Sequence, residues 1–100
     1  SVKNEDAAFI TALQKLREQV DQLDDELLSL MAQRMKMADK IGIYKKENQM
    51  TILQTERFNA ILRRAFAKAD QLGLSREFIQ RYFDAVHMES INHQNNVMNG

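Results

Sequence analysis

The chain has no cysteine, no proline and no tryptophan, and only three glycines in 100 residues. Without cysteine there is no disulfide, no thiolate nucleophile and no Cys-based zinc site. Without proline, and with so little glycine, it lacks the punctuation that strands and tight turns need. No apolar run approaches the ~20 residues of a membrane span, and the opening residues are not expected to form a signal peptide. Net charge is missing as well, because 14 Lys and Arg offset 14 Asp and Glu. A general binder of nucleic acid or of anionic membranes would carry a basic excess. The pairs Lys45-Lys46 and Arg63-Arg64 are too short to supply one. These absences leave an all-α domain, with no length for a second core. The lack of cysteine is compatible with the cytoplasm, which is the expected location. The chain opens on Ser1 rather than Met, so the expectation is a trimmed chain or a piece of a longer one.

What is present is a long apolar stripe. From Leu13 it runs through Leu16, Val20, Leu23, Leu27 and Leu30 to Met37, Ile41 and Tyr44. The steps alternate between three and four if Arg34 is counted, which is the a/d pattern of a helix that packs along its length. Asp21, Asp24, Asp25, Glu26, Lys36, Asp39 and Lys40 mostly take the outer faces. The helix is expected to begin between Asn4 and Asp6 and to fray near Glu47-Asn48-Gln49. About 40 residues at ~1.5 Å each make a rod of roughly 60 Å, longer than any compact 100-residue core. A second copy of the chain is the economical cover. The pattern resumes at Ile52 and Leu53, and Phe58, Ile61, Leu62, Ala65, Phe66 and Ala69 mark a second, shorter helix. Gly73 suits the left-handed position after it, and Ser75 suits the N-cap of a third helix carrying Phe78, Ile79, Tyr82, Phe83, Val86 and Ile91. That helix is expected to fray among Asn95, Asn96, Asn99 and Gly100.

Polar residues interrupt these stripes. Arg34 stands between Leu30 and Met37, where a charge costs several kcal/mol unless it is paired. A structural ion pair would account for one such arginine. Lys45, however, follows 11 residues later, rotated only about 20° from Arg34 and roughly 16 Å along the axis. Two long cations reaching toward each other would bracket a small, doubly anionic ligand. Arg17 lies about 100° around the helix and roughly 25 Å from Arg34, so in an antiparallel dimer it would serve the other chain's pocket. On the third helix, the stripe of Ile79, Phe83 and Val86 lands on Ser90, Gln94 and Val97. A buried Gln amide has up to four hydrogen bonds to satisfy. Inward Arg, Lys, Ser and Gln describe a polar pocket within a bundle, suited to a ligand with carboxylates. His87 and His93 are six apart, on different helix faces, so no metal site is expected of them. Ser90 stands three residues from each, with no base–orienter geometry evident.

The stretch LREQVDQLDDELLSLMAQRMKMADKIGIYKKEN resembles the first helix of the all-helical chorismate mutases, at Leu16-Arg17, Asp24, Leu27-Leu28, Arg34, Ile41-Gly42 and Lys45. The Ile52…Arg57 segment, Ser90 and Gln94 fit the later helices, so the resemblance spans residues 13–97, with 1–12 as a linker or helix start and 98–100 as a tail. It implies an intertwined homodimer of three-helix chains that converts chorismate to prephenate in aromatic amino-acid biosynthesis, with no cofactor and no metal. It implies that Arg17 contacts a substrate carboxylate in the neighbouring chain's site while Arg34 holds a carboxylate in its own. Lys45 and Gln94 would donate to the ether oxygen whose bond breaks, and Arg57 and Ser90 would complete the lining. Where many relatives have an Arg-Glu pair, the Glu meeting the substrate hydroxyl, this chain reads Arg57-Phe58, with Glu56 one residue too early. One residue turns a helical side chain by about 100°, so Glu56 does not substitute, whereas Gln54, at a position that is often Asp, retains the capacity to bind the hydroxyl. A fused partner domain is a further expectation from the resemblance. Two other readings share the pattern: an isochorismate-pyruvate lyase on the same fold, and a regulatory or dimerisation module in which Arg34 and Lys45 only make ion pairs.

Overall fold

The computed structural model describes residues 2–100, with side chains from Asp6 onward. Three helices follow one another: α1 (Val2–Glu47), α2 (Thr55–Leu72) and α3 (Arg76–Asn99). No strand occurs among the described residues, as the shortage of turn and strand residues predicts. α1 runs back to Val2, ahead of the Asn4–Asp6 start that the sequence suggests. α3 ends at Asn99 with Gly100 as its C-cap, within the Asn95–Gly100 stretch where fraying is expected.

The chain divides into two compact units, Ser1–Arg34 and Met35–Gly100. The first contains one helix only. Leu16, Val20, Leu23, Leu27 and Leu30 along it are each more than half exposed on a single chain, so the stripe read from the sequence is present and uncovered.

The second unit packs the last turns of α1, residues 35–47, with α2 and α3. Met35, Ala38 and Val86 are buried together, and half-buried Tyr82 packs on them. The side buried within the chain is therefore the one bearing Met35, Ala38 and Gly42, with half-buried Lys45 beyond them. Met37, Ile41 and Tyr44 of the heptad stripe stay exposed. The stripe marks one side of α1, and the intrachain contact uses another. This corrects the placement of Asp39, which is half-buried rather than on an outer face.

Local chemistry ends each helix. Gln49, at φ 56°, takes the left-handed position after α1, and the Met50 N–H donates to the Lys45 carbonyl at 2.8 Å. Ile52 and Leu53 fall in the connection rather than in α2, whose N-cap is Gln54. Gly73, at φ 71°, closes α2, and the Leu74 N–H donates to the Ala69 carbonyl at 3.0 Å. The Ser75 hydroxyl then accepts from the Phe78 N–H at 3.1 Å, capping α3. Both ends of this turn match the sequence expectation, and they set α2 and α3 as a helical hairpin.

Candidate active site

The polar cluster lies where the end of α1 meets the last turns of α3. Lys45 is half-buried, and its Nζ donates to the Gln94 Oε1 at 2.7 Å and to the Ile52 carbonyl at 2.9 Å. Gln94 is the one buried polar side chain among the described residues. Its Nε2 donates to the Ser90 Oγ, one turn back on α3, at 3.3 Å. The amide is thus held at both ends, with its oxygen on a cation and its nitrogen on a hydroxyl. One hydrogen of the amide and one of the ammonium are left over for a ligand. Burial lowers the Lys45 pKa from the ordinary lysine value, since taking an ammonium out of water disfavours its charge.

Three further contacts surround these groups. Gly42 lies against α3 so closely that a Cβ there would be 3.1 Å from the Gln94 Cα. The turn after Glu47 brings the Ile52 carbonyl back over Lys45. Asp39 Oδ1 meets His93 Nδ1 at 2.9 Å, one residue before Gln94. None of these was singled out by periodicity, because each depends on how α3 docks on α1 rather than on either helix alone. The glycine in Ile41-Gly42 is the one of them with a local signal, being a poor helix former in the middle of a helix.

Lys45, Ser90 and Gln94 are brought together. Gln54 and Arg57 stand at the start of α2 with exposed side chains, and they make no side-chain bond to that cluster among the described residues. Arg17 is exposed and Arg34 half-buried, both within the first unit. Among the described residues Arg34 is bonded to no carboxylate. Phe58 stacks on His87 with centroids 4.1 Å apart and planes 20° from parallel. His87 and His93 thus face different partners, and no group of His, Asp and Glu suited to a metal occurs among the described residues. Among the described residues no helix is long and apolar enough to cross a membrane.

Three helices with a lysine, a glutamine and a serine joined between two of them define an all-helical protein with a polar site inside its packing. Residues 16–95 match the pattern of one family of this kind, and the chain belongs to it: chorismate mutase type II. The chain is 31% identical to the T-protein of Haemophilus influenzae over 88 residues, which is 88% of this chain and 23% of that protein. It is 29% identical to the T-protein of Enterobacter agglomerans over 87% of its own length and 23% of the relative's. It is 30% identical to a 4-amino-4-deoxychorismate mutase of Streptomyces venezuelae, over 77% of this chain and 75% of the relative. The chain spans less than a quarter of the length of the two T-proteins.

Proposed function

We propose that the chain is an isomerase that converts chorismate to prephenate, with Lys45, Gln94 and Arg34 as its catalytic residues. The observation that carries the reading is the 2.7 Å bond from the Lys45 ammonium to the buried Gln94 amide, in a chain of this family. In the rearrangement an ether C–O bond breaks as a C–C bond forms within the same molecule. No proton, nucleophile or co-reactant is consumed. The protein's work is to hold the substrate folded, with the reacting carbons close, and to meet the negative charge that grows on the ether oxygen. Lys45 and Gln94 keep one N–H each for that oxygen, and the bonds to Ile52 and Ser90 fix where they point. Such donors gain most when the charge develops, which lowers the barrier rather than merely strengthening binding. Gln94 is a donor at every pH.

Arg34 is assigned to a substrate carboxylate in its own chain, and Ser90 and Arg57 to the rest of the polar lining. Gln54 takes the substrate hydroxyl. Arg17 is assigned to the site of a second copy, in a homodimer. The support for a dimer is the uncovered stripe of α1: fully burying five Leu or Val side chains, at about 2 kcal/mol each, is of the same order as the whole stability of a small domain. A chain that leaves such a stripe in water has its cover elsewhere. No nucleic-acid or membrane partner is proposed. A further domain in the native protein is proposed from the length of the T-proteins that this chain matches over its own span.

The test is loss of chorismate with the product identified, beside an Arg34→Ala variant of equal foldedness. Prephenate formation that falls by two or more orders of magnitude in the variant supports the reading. Parallel assays with isochorismate, read by pyruvate release, and with 4-amino-4-deoxychorismate ask whether another substrate is preferred. Turnover of either in place of chorismate overturns the assignment.

A further inference from the structure

We propose that Asp39 and His93 form a positioning pair that sets the register of α3 on the end of α1 and thereby holds the Gln94 amide against Lys45. The inference rests on the reading of Lys45 and Gln94 as catalytic residues. Asp39, Gly42 and Lys45 are spaced three apart and span about 9 Å of α1. Each meets the same short stretch of α3. Asp39 holds His93 at 2.9 Å, Gly42 lies against the Gln94 backbone, and Lys45 holds the Gln94 side chain at 2.7 Å. The helices are thus tied on either side of a close backbone approach. Among the described residues these two are the polar side-chain links between residues 35–47 and α3.

The pair is about one-third exposed on each side, and a link that open to water adds little to stability. Its effect is geometric. His93 and Gln94 are consecutive, so a shift of α3 that releases His93 displaces the Gln94 amide by a similar amount. The single Lys45 bond does not resist rotation of α3 about its own axis, whereas two bonds, about 100° apart around α3, do. A misplacement of about 1 Å from a site of chemistry is enough to cost up to ~100-fold in rate. His93 Nδ1–H needs only an oxygen to accept it, so an amide at position 39 preserves the link and a methyl does not.

The experiment measures steady-state prephenate formation by the full chain carrying Asp39→Ala, Asp39→Asn or His93→Ala, with Asp39→Ala also placed in a Gln94→Ala background. Asp39→Ala and His93→Ala are expected to lower kcat about tenfold with KM changed less than about twofold, and Asp39→Asn to restore most of the rate. In the Gln94→Ala background Asp39→Ala is expected to cost nothing more, because it acts through Gln94. Unchanged kcat in both alanine variants, or the same tenfold loss without Gln94, overturns the inference. If the wild-type chain makes no prephenate, it is the functional reading that fails. The pair is then judged by the Gln94 side-chain amide signals in a ¹H–¹⁵N spectrum. They should move in Asp39→Ala and return in Asp39→Asn; signals that stay in place overturn the positioning role.

Discussion

Adding one methyl group at Gly42 sets two opposing effects against each other. In the middle of a helix, Gly→Ala favours folding by about 1 kcal/mol through propensity alone. Here the new Cβ would be 3.1 Å from the Gln94 Cα and 3.4 Å from its Cγ and carbonyl oxygen. Two of those three atoms are backbone, so α3 has to move by a few tenths of an ångström. Overpacking of that kind costs about 1–3 kcal/mol. The net is a destabilisation of roughly 0–2 kcal/mol, and at about 4–8 °C per kcal/mol the thermal midpoint falls by no more than about 16 °C. Turnover suffers more, because the displaced atoms belong to Gln94, whose 2.7 Å bond to Lys45 leaves no slack. Removing such a donor outright costs about 10²–10³-fold, and a partial displacement is expected to cost about tenfold in kcat, or ~1.4 kcal/mol. The assay pairs thermal unfolding with steady-state kinetics. A Gly42→Ala chain that gains the full propensity term and keeps its kcat would refute the claim that the close helix approach positions Gln94.

Other perturbations separate the remaining roles. Burial lowers the Lys45 pKa, so the ammonium is lost as pH rises through a value below that of a free lysine. Activity should fall on the alkaline side earlier than an exposed lysine would dictate. Folding stability has the opposite sign, because over that interval the unfolded chain binds the proton more tightly and stability rises with pH; rate and urea-unfolding profiles check the two trends. Gln94→Glu puts an acceptor where a donor is needed at neutral pH, so its rate should climb as pH falls and the carboxyl protonates, a dependence the wild type lacks. Ser75→Ala removes the bond to the Phe78 N–H and should lower stability by about 1 kcal/mol with kcat unchanged. Leu27→Asp puts a charge on the uncovered stripe of α1. Sedimentation should find a monomer, with activity lost if Arg17 of the partner subunit completes the site.

The Ser90–Gln94 part of the site was legible because helix geometry is rigid: four residues set Ser90 under Gln94. The Gly73 and Ser75 signals were equally local and are both realised. What the pattern did not reveal depends on docking. Asp39 reads as an outer residue while only the leucine stripe is considered, and it becomes half-buried because α3 takes a different side of α1. The Ile52 carbonyl has no side-chain signature at all. Phe58 reads as a departure from the relatives, and its stacking on His87 becomes visible only once α2 lies against α3. α1 begins earlier than the sequence suggests, since weak helix formers at an end do not set the boundary alone. It stops at Glu47, and α3 stops at Asn99, inside the stretches where fraying is expected.

The proposed reacting end of the chorismate site is a lysine and a glutamine joined across two helices. The initial rate of prephenate formation from chorismate, in wild type and in Lys45→Ala matched for folding, tests it most directly. The wild-type rate is expected to lie far above the uncatalysed one, with a loss of about two to three orders of magnitude in the variant. A wild-type rate no greater than the uncatalysed reaction, or a Lys45→Ala rate equal to wild type, would contradict it.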